Sequence, residues 1–279
     1  MSLKSIAMIL HDTTSHLGGL ETAICVTRQT GAQLHVLCVG LDYTEPGYYY
    51  AGAQAIVIQQ NFEVAQKTTS ELERIARQRL LHEDISWSVQ SVTSLPGGLD
   101  AVIADEMRYC DLVFVNAPYQ EDSNRTDTSV FEACIFGASR PVMVVPKAAP
   151  TDANFDNIMI AWDDGLPAMA AAREAVPFLA QAENTEITII DPPVHGHNRS
   201  DPGGRLAGYL SRFGARADVT VLARAQPSIA AQLLARAKEH DVSMIVMGAY
   251  GHSPLREAML GGATRDMLRL THLPVLMAH

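Results

Sequence analysis

The sequence predicts an α/β chain made of two tandem modules, each an open, doubly wound parallel sheet. Three observations predict it. Short continuous apolar runs, of the kind buried on both faces of a parallel sheet, alternate with segments of helical periodicity. The landmark runs recur in the same order in both halves, as an internal repeat requires. Between them stands Lys147-Ala148-Ala149-Pro150-Thr151-Asp152-Ala153-Asn154, polar and proline-containing, which reads as a linker. The 279 residues suffice for two domains of ordinary size, placed here at 1–147 and 155–279.

The elements follow in chain order. Ile6-Ala7-Met8-Ile9-Leu10 is an apolar run ending in His11-Asp12, and Ile158-Met159-Ile160-Ala161-Trp162 ends likewise in Asp163-Asp164. Both read as buried first strands. Leu34-His35-Val36-Leu37 reads as a second strand and is matched by Glu186-Ile187-Thr188-Ile189-Ile190. Between Asp163 and that strand, Met169, Ala172, Arg173 and Val176 fall on helical spacing. Ser228 is a good N-cap for a helix through His240, with Ile229, Leu233, Leu234 and Ala237 on one apolar face. Asp111-Leu112-Val113-Phe114-Val115 matches Ser243-Met244-Ile245-Val246-Met247. The last strands match as well, Pro141-Val142-Met143-Val144-Val145 against Pro274-Val275-Leu276-Met277-Ala278.

Composition narrows the function classes. With 47% hydrophobic and 19% charged residues the chain is neither disordered nor fibrous. A net charge of −10 repels phosphate backbones and anionic lipid, so neither nucleic acid nor membrane is an expected partner. The apolar runs are strand-length, short of the ~18 residues a membrane span needs. Met1-Ser2-Leu3-Lys4-Ser5 leads straight into a strand without a small-residue cleavage site, so a cytoplasmic location is expected. Cys25, Cys38, Cys110 and Cys134 show no CxxC spacing and sit among apolar neighbours, which reads as buried free thiols.

Ligands of such sheets bind beyond the carboxyl ends of the strands, which directs attention to the loop after Met247. Gly248 and Gly251 bracket a turn where backbone amides can approach a ligand. Ser253 and Pro254 can start a short helix, and Gly261-Gly262-Ala263-Thr264 opens the last helix, which must stop before Pro274. A glycine-rich helix start presents free N–H groups and partial positive charge, which suits a phosphate. This is not a Walker loop, because none of the four lysines follows a glycine, nor is it a GxGxxG fingerprint after the first strand.

The spacing Gly-x2-Gly-x9-Gly, from Gly248 through Gly251 to Gly261, resembles the ATP-phosphate loop of the universal stress protein family. The order strand, Asp, helix, strand, helix, strand, glycine loop, helix and Pro-Val strand resembles that family over nearly the whole chain. The resemblance implies a tandem member with two Rossmann-like, adenine nucleotide alpha hydrolase-like domains. It implies that Asp163 contacts ribose, with Ala161 and Trp162 beside the nucleotide, and that the main chain of Ile189 reads adenine. Met247, Gly248, Gly251, Gly261, Gly262 and Ala263 would wrap the phosphates, with Thr264 adding a hydroxyl. One departure stands out: the family usually has Ser or Thr after the third glycine, where this chain has Gly262. A hydrogen bond to a charged group contributes about 1.5–3 kcal/mol, so losing it lowers affinity by roughly an order of magnitude or more unless backbone amides and Thr264 compensate.

The first half keeps Asp12 but continues after Val115 with Asn116-Ala117-Pro118-Tyr119, without the early glycines. Counting back from Pro141 sets Thr128-Ser129-Val130 opposite Gly261-Gly262-Ala263, and Glu121, Asp122 and Asp127 add negative charge where phosphates would sit. This half is expected not to bind ATP in that way and to serve in structural pairing or regulation.

The resemblance therefore implies a stress-response protein that binds ATP, or AMP or ADP in its place, in its second half, with a divalent ion such as Mg. The nucleotide would select a conformation or partner, so an enzymatic role is not expected beyond a weak ATPase. The alternatives are a nucleotide-free interaction protein and a slow ATP hydrolase, for which His252 is the one candidate base. The family's final strands commonly pair two domains, which implies an internal pseudo-dimer and leaves a homodimer open. Other features have blander readings. His195-Gly196-His197 lies in a loop by composition, Arg256 and Arg265 read as surface pairs before phosphate contacts, and Tyr48-Tyr49-Tyr50 reads as loop packing. No G-x-S-x-G elbow is present, and no Ser-Gly-Gly-x-Asp-Ser loop either, whose absence argues against adenylating chemistry.

Overall fold

The fold was read from a computed structural model that describes residues 2–14, 17–42, 53–121, 123–192, 201–251 and 262–279. Tyr48-Tyr49-Tyr50, Asp122, His195, His197, His252, Ser253, Pro254, Arg256 and Gly261 lie outside the described residues.

The first half runs β1 (Ser5–Leu10), α1 (Gly18–Thr30), β2 (Gln33–Leu41), α2 (Ala53–Leu80), β3 (Ser86–Ser94), α3 (Leu99–Met107), β4 (Leu112–Asn116), α4 (Arg125–Glu132) and β5 (Val142–Val145). The second runs β6 (Asn157–Ala161), α5 (Leu166–Glu174), α6 (Val176–Leu179), β7 (Asn184–Ile190), α7 (Gly204–Ser211), β8 (Ala217–Leu222), α8 (Ile229–Glu239), β9 (Met244–Gly248), α9 (Ala263–Leu270) and β10 (Val275–Ala278). The apolar runs of the sequence become the inner strands. The edge strands β3 and β8 carry no such run, because their outer positions face solvent. Ser228 caps α8 as expected, its Oγ accepting from the Ala231 N–H at 3.2 Å.

The strands form one sheet in the order β3-β2-β1-β4-β5-β10-β9-β6-β7-β8, so each half repeats the order third, second, first, fourth, fifth. Pairing within each half is parallel. The halves meet where β5 runs antiparallel to β10, with Val144 opposite Val275 and Val142 opposite Met277. The two halves thus share a single ten-stranded sheet. One apolar layer holds Ile6, Leu34 and Phe114 of the first half with Ile158, Ile187 and Leu276 of the second, under α1, α2, α5, α6 and α7. The opposite layer holds Ile9, Val113 and Val144 with Met159, Ile245 and Val275, under α3, α4, α8 and α9. Both layers run through the seam without a break. No described helix is long and apolar enough to cross a membrane.

The four thiols are free, with Cys38, Cys110 and Cys134 buried and Cys25 half-buried. Burial pushes the Cys38 thiol up to about 12, which leaves it without reactive thiolate near neutrality.

One sequence expectation needs correction. Counting back from Pro141 sets Ser129 against Gly262, but the structure puts Ser129 in the second turn of α4, on its exposed face. Asn124 holds the N-cap that Gly262 holds in α9. The count fails because a π-helical turn, Ala133–Gly137, extends α4 by five residues and has no counterpart between α9 and β10.

Candidate functional site

A doubly wound sheet opens its ligand crevice where the strand order reverses. This sheet has two such places, one between β1 and β4 and one between β6 and β9.

At the second crevice Asp163 follows β6 after one residue. Its Oδ1 accepts the Gly165 N–H at 2.9 Å, turning the chain into α5. Its other oxygen faces the turn after β9: a Cβ built on Gly251 would lie 3.6 Å from Asp163 Oδ2, in ordinary contact, and would meet nothing else within 4 Å among the described residues. No described residue needs the space beside Gly251. Gly248 differs. A Cβ there would stand 2.4 Å from the Ala168 nitrogen and 2.7 Å from the Pro167 carbonyl carbon, so the close approach of α5 demands that glycine whatever else binds.

Between the two glycines Ala249 and Tyr250 are buried. The Tyr250 N–H donates to Thr264 Oγ1 at 3.0 Å, and the carbonyl of Ala249 lies 2.9 Å from His279 Nδ1. Thr264, 2% exposed, thus holds the turn with the oxygen that the family resemblance assigns to a phosphate. Gly262 is the N-cap of α9 in extended backbone, and among the described residues no side chain caps that helix. A helix start of this kind has first-turn N–H groups without intrahelical partners.

Ala161, Trp162, Asp163, Met247, Gly248 and Ala263 border one groove, as the sequence groups them. Thr188, Ile190, Ile229 and Leu233 border it too, and sequence reasoning missed them as site residues. The signal was available: alternation along β7 puts 188 and 190 on one face and 189 on the other. Ile189 is buried on that other face, where its side chain packs against Gly203 at the start of α7. The groove encloses about 110 Å³, small beside the ~300 Å³ or more of ordinary small-molecule sites.

The first crevice is built from corresponding positions with opposite outcome. Asp12 Oδ1 accepts from the Thr14 N–H at 2.8 Å, as Asp163 does from Gly165. Here, however, the start of α4 is closed by the protein itself. Asn124 Oδ1 accepts from the Thr126 and Asp127 N–H groups at 2.7 and 3.3 Å, and Asp127 Oδ2 accepts the Asn124 N–H at 2.6 Å, forming a complete capping box. Asp127 Oδ1 lies 3.1 Å from His11 Nε2, both side chains under 8% exposed, and Asn124 Nδ2 donates to Asp12 Oδ2 at 3.2 Å. A buried carboxylate sits at the helix start where an anion would dock. Beside it opens a cavity of about 1050 Å³, reaching from Thr14 and Tyr119 to Arg269 of the other half. Its size does not make it a phosphate site, since the amides that would hold the phosphate are already bonded. Arg265, a sequence candidate for phosphate contact, instead stands 5.2 Å from the centre of the Tyr119 ring.

Comparison with known proteins agrees with the fold. The profile of the Universal stress protein family matches residues 154–279. Universal stress protein Slr1230 of Synechocystis is 27% identical over 155 residues, a match covering 52% of this chain and 49% of that relative, so the chain matches about half the length of that curated relative. A universal stress protein from Archaeoglobus fulgidus superposes with a TM-score of 0.66 at 17% identity, over 99% of this chain and 97% of its own. A functionally unknown protein from Pseudomonas aeruginosa gives 0.58 at 17% identity, over 98% and 92%. These two likenesses establish a shared architecture. In sequence, residues 154–279 are similar to the universal stress protein family.

Proposed function

We propose that this chain is a tandem universal stress protein, 1–147 and 155–279, that binds ATP at the β6/β9 crevice and serves the stress response as a nucleotide-dependent regulatory or interaction protein. The observation that carries this reading is the space beside Gly251 that no other described residue enters. It faces Asp163 Oδ2, beside a helix start that no described side chain caps. Asp163 is placed to accept from ribose hydroxyls, and the amides of 251 and of the first turn of α9 to meet phosphate oxygens. A divalent ion such as Mg would arrive with the phosphates, because among the described residues no group of three or more His, Cys, Asp or Glu gathers to hold one. The first half acts as a degenerate partner domain, and the β5/β10 seam makes the chain an internal pseudo-dimer.

Isothermal titration of the full chain with MgATP, AMP and ADP tests this. Saturable binding of one equivalent that weakens about tenfold in Asp163→Ala supports it, and an absence of heat at millimolar nucleotide with the fold intact ends it. A second reading, a nucleotide-free interaction protein, is favoured by the 110 Å³ groove and by the purely structural demand for Gly248. It requires no thermal shift with any adenine nucleotide.

A further inference from the structure

We propose that the first half is a working part of the second half's nucleotide site: Phe136 and Glu132, on the end of α4 and its π turn, position the turn at residues 248–251 by gripping Tyr250. The inference deepens the nucleotide reading above and rests on it for its binding arm.

Tyr250 has φ 54, left-handed backbone that is unfavourable for a residue with a side chain, so the turn needs external contacts to hold its shape. Its own half supplies the bond from its N–H to Thr264 Oγ1. Further contacts come from across the seam. The Phe136 ring centre lies 5.1 Å from that of Tyr250, the Phe131 ring centre lies 6.4 Å away, and the Tyr250 hydroxyl donates to the Glu132 carboxylate. Phe136 also meets His279 edge-on at 4.9 Å, and His279 Nδ1 is the group against the carbonyl of Ala249. Two consecutive residues of the turn are therefore tied to the same first-half ring, one directly and one through His279. The next residue is Gly251, whose room faces Asp163. A shift of Tyr250 would carry Gly251 with it and change the gap the phosphates are to enter. Burial, followed by the neighbouring Asp100, pushes the Glu132 carboxyl up, consistent with a carboxylate enclosed between the halves rather than a solvated surface group. The π turn that lengthens α4 brings Phe136 to this place, so the insertion that spoils the sequence repeat has a use.

The test uses the full chain with Phe136→Ala and the ring-preserving Phe136→Tyr. Phe136 is 38% exposed, so its truncation leaves the core intact. Amide hydrogen exchange of Tyr250 reads the turn directly, with Ile245 and Val246 in β9 as internal controls. Phe136→Ala should speed exchange at Tyr250 about tenfold with the controls unchanged and weaken MgATP binding about three- to tenfold, and Phe136→Tyr should restore both. Unchanged exchange at Tyr250 in Phe136→Ala overturns the proposal. So does faster exchange with unaltered MgATP affinity, which would leave the grip real but irrelevant to the ligand. If the wild-type chain binds no MgATP, the nucleotide reading falls, and with it the claim that the grip serves a nucleotide; the exchange result then separates a first-half grip on the turn from none.

Discussion

The starts of α4 and α9 occupy the same place in the two halves and solve the same problem differently. A helix start carries N–H groups without partners and a partial positive charge. In α4 the chain supplies its own anion: Asp127 and Asn124 form the capping box, with His11 and Asp12 bracing them. In α9 the cap is Gly262, which offers no side chain, and Asp163 stands across from Gly251 with, among the described residues, no bridge such as Asn124 makes to Asp12. The difference teaches that losing a ligand site can mean filling it from within, which converts binding energy into folding energy.

The largest expected effect breaks the filled side. Asp127→Ala orphans the Asn124 N–H and leaves His11 without its buried partner, and should cost about 2–4 kcal/mol in urea denaturation. Asp266→Ala, in the first turn of α9, should cost less than about 0.5 kcal/mol. Thr264→Val removes the acceptor for the buried Tyr250 N–H and should cost about 1–2 kcal/mol by the same measurement. On the open side, Asp163→Ala should raise the MgATP Kd about tenfold, or about 1.4 kcal/mol, in calorimetry, while Asp12→Ala leaves it unchanged. Equal losses from both substitutions would erase the proposed contrast.

A pH effect sharpens the contact between the halves. Burial raises the Glu132 carboxyl above its ordinary range, so on raising the pH the unfolded chain ionises first. Its contribution to stability is complete below about pH 4.3 and is lost as pH rises through the higher folded value. Glu132→Gln should therefore flatten the change in urea midpoint between pH 4 and pH 7. The smallest effect transplants one solution into the other. Gly262→Asn should stabilise the chain by about 0.3 kcal/mol, because glycine is only slightly inferior as a cap, while weakening MgATP binding by competing for the same amides. Tighter binding in that variant would contradict the assignment of those amides to phosphate.

The inner strands were legible because burial on both faces leaves continuous apolar runs such as residues 142–145 and 275–278. The edge strands β3 and β8 were not, since half-solvated positions dilute the pattern. Asp163 was legible as the residue closing an apolar run, and Gly262 as part of a glycine-rich helix start. The capping box at Asn124 was written in the sequence as Asn-x-x-Asp, but the landmark at Pro141 drew the count five residues astray, because a π turn leaves no compositional mark. That Gly248 answers to α5, and that Tyr250 reaches the other half, are facts about elements distant in sequence and could not be read from the loop itself.

The seam between β5 and β10 also bears on solubility. These strands, fully buried here, are among the most apolar in the chain, and each would be an open, sticky sheet border if its half stood alone. Joined, they leave the sheet only the borders at β3 and β8, both wetted by polar side chains. Cutting the chain at 147–154 would therefore yield two fragments inclined to pair with copies of themselves through the border they had shared.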